Sequence, residues 1–117
     1  MERRTSFVAG LLVALAALMA GCAKPLPPER QDYVGRWSGT QGAEKMQMAI
    51  AADGMLEYSR EAPGRSKSLS VPIQAFEGNQ IVAGAMGMKT RFVVQQPPRE
   101  EAGVWTMTVD GVRLTRE

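Results

Sequence analysis

The stretch VWTMTVDGVRLTRE, Val104 to Glu117, decides the fold. Asp110-Gly111 inside it is a two-residue turn signal that takes positive φ at both places. Folding the chain about that turn sets Val109 against Val112, Met107 against Leu114 and Trp105 against Arg116. The opposite face then pairs Thr106 with Thr115 and Thr108 with Arg113. One face is apolar and the other polar, so turn and register agree on an antiparallel hairpin.

A second hairpin needs a different loop. In KMQMAIAADGMLEYSR, Lys45 to Arg60, a two-residue Asp53-Gly54 turn would set Ile50 against Glu57 and Met48 against Ser59. A three-residue loop, Ala52-Asp53-Gly54 with Gly54 left-handed, pairs Ile50 with Leu56 and Met48 with Tyr58 instead. Only this loop matches the apolar faces. No segment after residue 31 holds a helical period, and short alternating runs separated by Gly, Pro and Asp-Gly dominate. Strands are expected near 33–40, 45–51, 55–60, 67–75, 80–85, 88–95, 104–109 and 112–116. The fold class is therefore all-β: a small antiparallel up-and-down meander of about eight short strands. Closure into a barrel, or near closure, removes the two edges an open sheet would expose.

The N-terminal third is built differently. Arg3-Arg4 is followed after Thr5-Ser6 by the apolar run Phe7 to Ala20. As a helix those residues span about 21 Å, short of the roughly 30 Å of a hydrocarbon core. A basic start, a short apolar middle and small residues at the end read as a secretory signal. LMAGC, Leu18 to Cys22, resembles the lipobox of bacterial lipoproteins, with Met19 where leucine is commonest. The resemblance implies cleavage between Gly21 and Cys22, a diacylglyceryl group on the Cys22 sulfur and acylation of the new amino group. Arg3-Arg4 is a poor twin-arginine signal, because Thr5 and Ser6 both intervene before Phe7. Ala23, where an aspartate commonly retains lipoproteins in the inner membrane, implies the outer membrane and its periplasmic face for a Gram-negative source.

Three prolines among residues 23–31, AKPLPPERQ, predict an extended spacer of up to about 28 Å. The expected organisation is a signal peptide at 1–21, lipidated Cys22 and a Pro-rich tether at 22–31, and a β-barrel domain at 32–117.

Composition restricts the chemistry. The chain has 117 residues, no histidine, one cysteine and a formal net charge of +2. A Ser-His-Asp or Cys-His arrangement is excluded, as are imidazole and thiolate metal sites once Cys22 carries lipid. Scattered cations at this net charge do not describe a nucleic-acid binder. Glu100-Glu101 falls in QQPPREEAG, expected as a solvated loop. No catalytic residue, metal site or cofactor is assigned, and an enzyme is not expected. Eight methionines raise the question of thioether coordination of Cu(I). Met46 and Met48 share strand parity with Ile50, however, and Met86 and Met88 share it with Phe92 and Val94. Packing of an apolar face by an adaptable side chain is the reading adopted for all four.

Gly35-Arg36-Trp37, within YVGRWSG, is similar to the Gly-x-Trp signature of lipocalins and related calycin barrels. That resemblance implies a tryptophan plugging one barrel end and a late arginine stacked over it, here Trp37 with Arg116 or Arg113. Two functional readings follow. In the first, a lipid-anchored periplasmic barrel carries a small apolar ligand among Met46, Met48, Tyr58, Met86, Met88, Phe92 and Trp105. In the second, the barrel surface or its loops engage an envelope protein. An internal chamber of a few hundred Å³ would favour the carrier; a filled core with exposed apolar surface would favour the interaction module.

Overall fold

Alternating polarity closes on itself in the computed structural model, which describes residues 23–117. The expectations for the signal stretch and for Cys22 lie outside the described residues. Eight antiparallel strands follow in chain order: β1 Gly35–Gln41, β2 Glu44–Ile50, β3 Met55–Ala62, β4 Arg65–Glu77, β5 Gln80–Ala85, β6 Met88–Glu101, β7 Val104–Val109 and β8 Val112–Arg116. Each pairs with its neighbours, and β8 returns to β1, so the sheet is a closed barrel. This eight-stranded antiparallel barrel has the architecture that the Gly-x-Trp resemblance implies.

Both hairpins have the register their side chains demand. Met107 opposes Leu114 and Val109 opposes Val112, across a turn with φ of 48° at Asp110 and 82° at Gly111. Met48 opposes Tyr58 and Ile50 opposes Leu56, across a loop in which Gly54 has φ of 95°. A side chain at Gly54 would also collide with the backbone of Lys24, so glycine is required there twice over.

Two stretches depart from expectation. The segment 23–31 is not an extended spacer. Pro28–Tyr33 forms a 3₁₀ helix, and Leu26 is buried at 6% exposure with its N–H donating to the Ala52 carbonyl at 3.1 Å. The reason is local. Pro28 occupies the first helical position, where a missing N–H costs nothing, and Glu29 in the first turn suits the helix dipole. Leu26 is the one large apolar side chain among these prolines, and burying it stabilises the docked arrangement.

The second departure is QQPPREEAG, expected as a loop. β6 runs through it to Glu101, with register shifts between Val94 and Gln96 and between Gln96 and Arg99. Such bulges break the ladder locally, so Pro97 and Pro98 can stand in a strand without N–H groups to contribute.

The up-and-down order puts the turns after β2, β4 and β6 at one rim, here the lower rim, together with the 3₁₀ helix. The turns after β1, β3, β5 and β7 form the upper rim. Between them Trp37, Met46, Met48, Ile50, Leu56, Tyr58, Ile81, Phe92, Met107, Val109 and Leu114 form one buried cluster.

Candidate functional site

Candidate chemistry starts with the interior, where a carrier would hold its ligand. Tyr58 on β3 and Phe92 on β6 belong to strands that are not neighbours, yet their ring centroids lie 5.1 Å apart. Opposite walls therefore touch through tilted aromatic rings, and the interior at this level is filled by side chains. Met46, Met48 and Met107 are no more than 1% exposed and take their places in the same cluster. No buried side-chain nitrogen or oxygen among the described residues lacks a partner, so the packed centre holds no unsatisfied polar group.

The structure corrects the placement of Met86 and Met88. Met86 is fully exposed and Met88 is 77% exposed. Met86-Gly87 is the two-residue turn joining Ala85 to Met88, with φ of 56° and 83°. Met88 does share parity with Phe92 and Val94, but parity continues beyond the rim while burial does not. Neither methionine lines the interior with Met46, Met48, Tyr58 and Phe92.

Trp37 and Trp105 both lie against Arg116 at the lower rim. The buried Trp37 indole N–H donates to the Tyr33 carbonyl at 2.9 Å, tying β1 to the 3₁₀ helix. The Arg116 guanidinium lies 5.5 Å from the Trp37 ring and 4.5 Å from the half-buried Trp105 ring, and donates to the Val34 carbonyl at 3.2 Å. A Cβ on Gly35 would come within 2.5 Å of the Arg116 side chain, which explains the glycine two places before the tryptophan. Arg116 is thus the stacking arginine. Arg113 is exposed on the outer face opposite Thr108. Tyr33 continues this closure against Phe76 at 5.2 Å, with the Arg30 guanidinium 4.8 Å from the Phe76 ring. The aromatic rings and the two guanidiniums stacked on them close this rim of the barrel.

Among the described residues two concavities lie on the outer surface and one opens at the mouth of the barrel. One of about 370 Å³ crosses the outer wall of β1 to β4 and includes Arg36, Gln47, Glu57, Ser59, Ser68 and Ser70. A second, about 290 Å³, lies between the docked N-terminal segment and Ile73 to Phe76. The third, about 530 Å³, is at the upper rim between Glu44, Arg60, Ala62, Arg65, Ser66 and Lys67. In it Arg60 Nε donates to a Glu44 carboxylate oxygen at 2.7 Å. That bond, and after it one to Tyr58, holds the Arg60 guanidinium above its ordinary pKa. Outside these concavities, Arg91 bonds Glu77 at 2.8 Å and Gln80 at 3.0 Å, and holds the Glu77 carboxyl below its ordinary value.

No group of three His, Cys, Asp or Glu side chains among the described residues could hold a metal ion. Glu100 and Glu101 stand exposed at the lower end of β6, with Glu101 paired to Arg99. The sequence reading missed Leu26, Tyr33 and Phe76 at the lower rim and the Glu44–Arg60 pair at the upper one. Even parity along β2 and β3 was the available signal for that pair, since it places Glu44 and Arg60 on the inner face with Met46 and Tyr58. A scan against protein-family models, a search of curated proteins and a search of solved structures each found no match to this chain.

Proposed function

We propose that this protein is a lipid-anchored envelope lipoprotein that acts without catalysis, as a module engaging another envelope protein through its barrel surface. The contact between Tyr58 and Phe92 across the barrel carries this reading. With opposite walls touching, the fold offers its recognition surfaces on the outer wall and at the rims, where the concavities and the exposed Met86 and Met88 are found. The lipobox-like LMAGC supports the anchor at Cys22 and a place on the periplasmic face of the outer membrane. Trp37 packed under Arg116 supports kinship with calycin barrels, in a version whose chamber is occupied by its own side chains. The absence of histidine from the sequence and the satisfied interior polar groups support a non-catalytic role.

Native mass spectrometry of the protein extracted from its own membrane tests the proposal. The expected result is a stoichiometric protein adduct on a lipid-modified chain. A small apolar molecule retained by the barrel would replace this reading with the carrier. Cys22→Ser should abolish lipid labelling in cells, and labelled protein persisting in that variant would refute the anchor.

A further inference from the structure

β4 is paired on both sides for only part of its length. Against β3 it is paired without interruption from Arg65 to Pro72. Against β5 it is paired only from Ile73 to Glu77, with a register shift between Ile73 and Ala75. Residues 65–72 therefore have no strand on their second side among the described residues.

The direction of the peptide groups on that stretch follows from one hydrogen bond. Ile73 N–H donates to the Gly54 carbonyl at 2.8 Å, on the β3 side. Successive peptide groups of a strand point to opposite sides, so those of Val71 and Leu69 also face β3. The N–H and C=O groups of Ser66, Ser68 and Ser70 face the unpaired side. Their side chains are small and exposed, so an approaching backbone meets no bulk.

The inner face of the same stretch has a graded chemistry. Arg65 and Lys67 are exposed, and Leu69 and Val71 are half-buried against the core. Arg65 and Lys67 also border the 530 Å³ concavity, whose one carboxylate, Glu44, is engaged by Arg60. Neither Arg65 nor Lys67 forms an ion pair among the described residues.

We infer that the free edge of β4 receives an extended, acidic peptide segment of a partner protein, added as a further antiparallel strand. This deepens the interaction reading above and rests on it. Main-chain bonds to Ser66, Ser68 and Ser70 supply adhesion. Register is set by apolar side chains opposite Val71 and Leu69 and by carboxylates opposite Lys67 and Arg65. A second copy of this chain is a poor occupant. Antiparallel self-pairing centred on Ser68 sets Lys67 beside Leu69 and Arg65 beside Val71, and brings four cations together with no opposite charge. Lysine on an edge also discourages random pairing, so the edge selects for negative charge.

The probe is the acetylated, amidated heptapeptide Val-Thr-Val-Thr-Glu-Thr-Glu, with Val-Thr-Val-Thr-Lys-Thr-Lys as its counterpart. Affinity for the full-length chain in micelles is read by fluorescence anisotropy, and edge pairing by amide hydrogen exchange. The acidic peptide should bind about tenfold more tightly than the lysine peptide and slow exchange at Ser66, Ser68 and Ser70. Arg65→Glu with Lys67→Glu should reverse the preference, a gain of binding that an unfolded variant cannot give. Equal affinity for both peptides, or binding that leaves those amides exchanging freely, overturns the inference. So does protection of the same amides that grows with protein concentration in the absence of peptide, which would indicate self-pairing. Failure here alongside a protein adduct in native mass spectrometry removes the β4 edge and keeps the interaction module. A retained small molecule removes the module itself.

Discussion

Replacing Leu26 by alanine measures whether the proline-rich stretch is a tether or part of the fold. The side chain is 6% exposed and belongs to the buried cluster. Leu26→Ala deletes three carbons, each contributing about 0.8 kcal/mol on burial. The rim can relax around the gap better than a barrel centre, so the cavity adds little, and the total cost is about 2–3 kcal/mol. For a domain of this size that corresponds to a fall in Tm of about 10–20 °C. Urea unfolding followed by tryptophan fluorescence, with the m-value held to the parent's, is the direct assay. Lys24→Ala serves as the control, because its side chain is exposed, and should stay within about 0.5 kcal/mol of the parent. If Leu26→Ala also stays within that range, the segment is a free spacer and the argument from its burial fails.

Other consequences can be read in the same protein. Arg116→Lys should destabilise by about 1–2 kcal/mol, since an ammonium cannot stack on Trp37 and Trp105 while reaching the Val34 carbonyl; unchanged urea midpoints would refute this. Glu77 has a folded pKa below its unfolded value, so its contribution is present above the unfolded pKa and fades as pH falls through the folded one. Arg91→Gln should return the Glu77 carboxyl toward the ordinary range in a carbon-13 NMR titration, and a carboxyl that stays low would contradict the assigned cause. Brief treatment with dilute hydrogen peroxide should convert Met86 and Met88 to sulfoxides while Met46, Met48 and Met107 resist, as peptide mass mapping would show. Equal oxidation of all five would mean that the interior opens readily.

Much of the barrel was legible because its turns carry their own chemistry. Asp110-Gly111 and Ala52-Asp53-Gly54 each admit one register that keeps apolar side chains together, and both registers are observed. The stacking of an arginine on Trp37 was legible only through the Gly-x-Trp resemblance, which left Arg116 and Arg113 open, while the last hairpin's register put Arg116 on the Trp105 face. What failed is what periodicity does not encode. Parity says which way Met88 points and nothing about where the rim ends. Pro97 and Pro98 read as loop because a ladder bond is lost at each, but bulges absorb that loss. Three prolines around Leu26 suggested an extended chain, although proline at a first helical turn is equally at ease. The unpaired side of β4 was invisible for a deeper reason. A strand's length is written in its own residues, whereas the length of its pairing is set by its neighbours.

The seam between β1 and β8 has a consequence for how the chain reaches this state. It is made by Trp37 opposite Arg116 and Ser38 opposite Thr115, with Arg116 reaching the Val34 carbonyl 82 positions earlier. β8 is last of the strands in chain order, so during synthesis β1 is present long before its partner arrives. Until then seven strands form at most an open sheet with two bare edges, and the contacts that close it are of the longest range and the slowest kind. During that interval the molecule is at its most adhesive, and its two bare edges stay open to wrong pairing until β8 arrives.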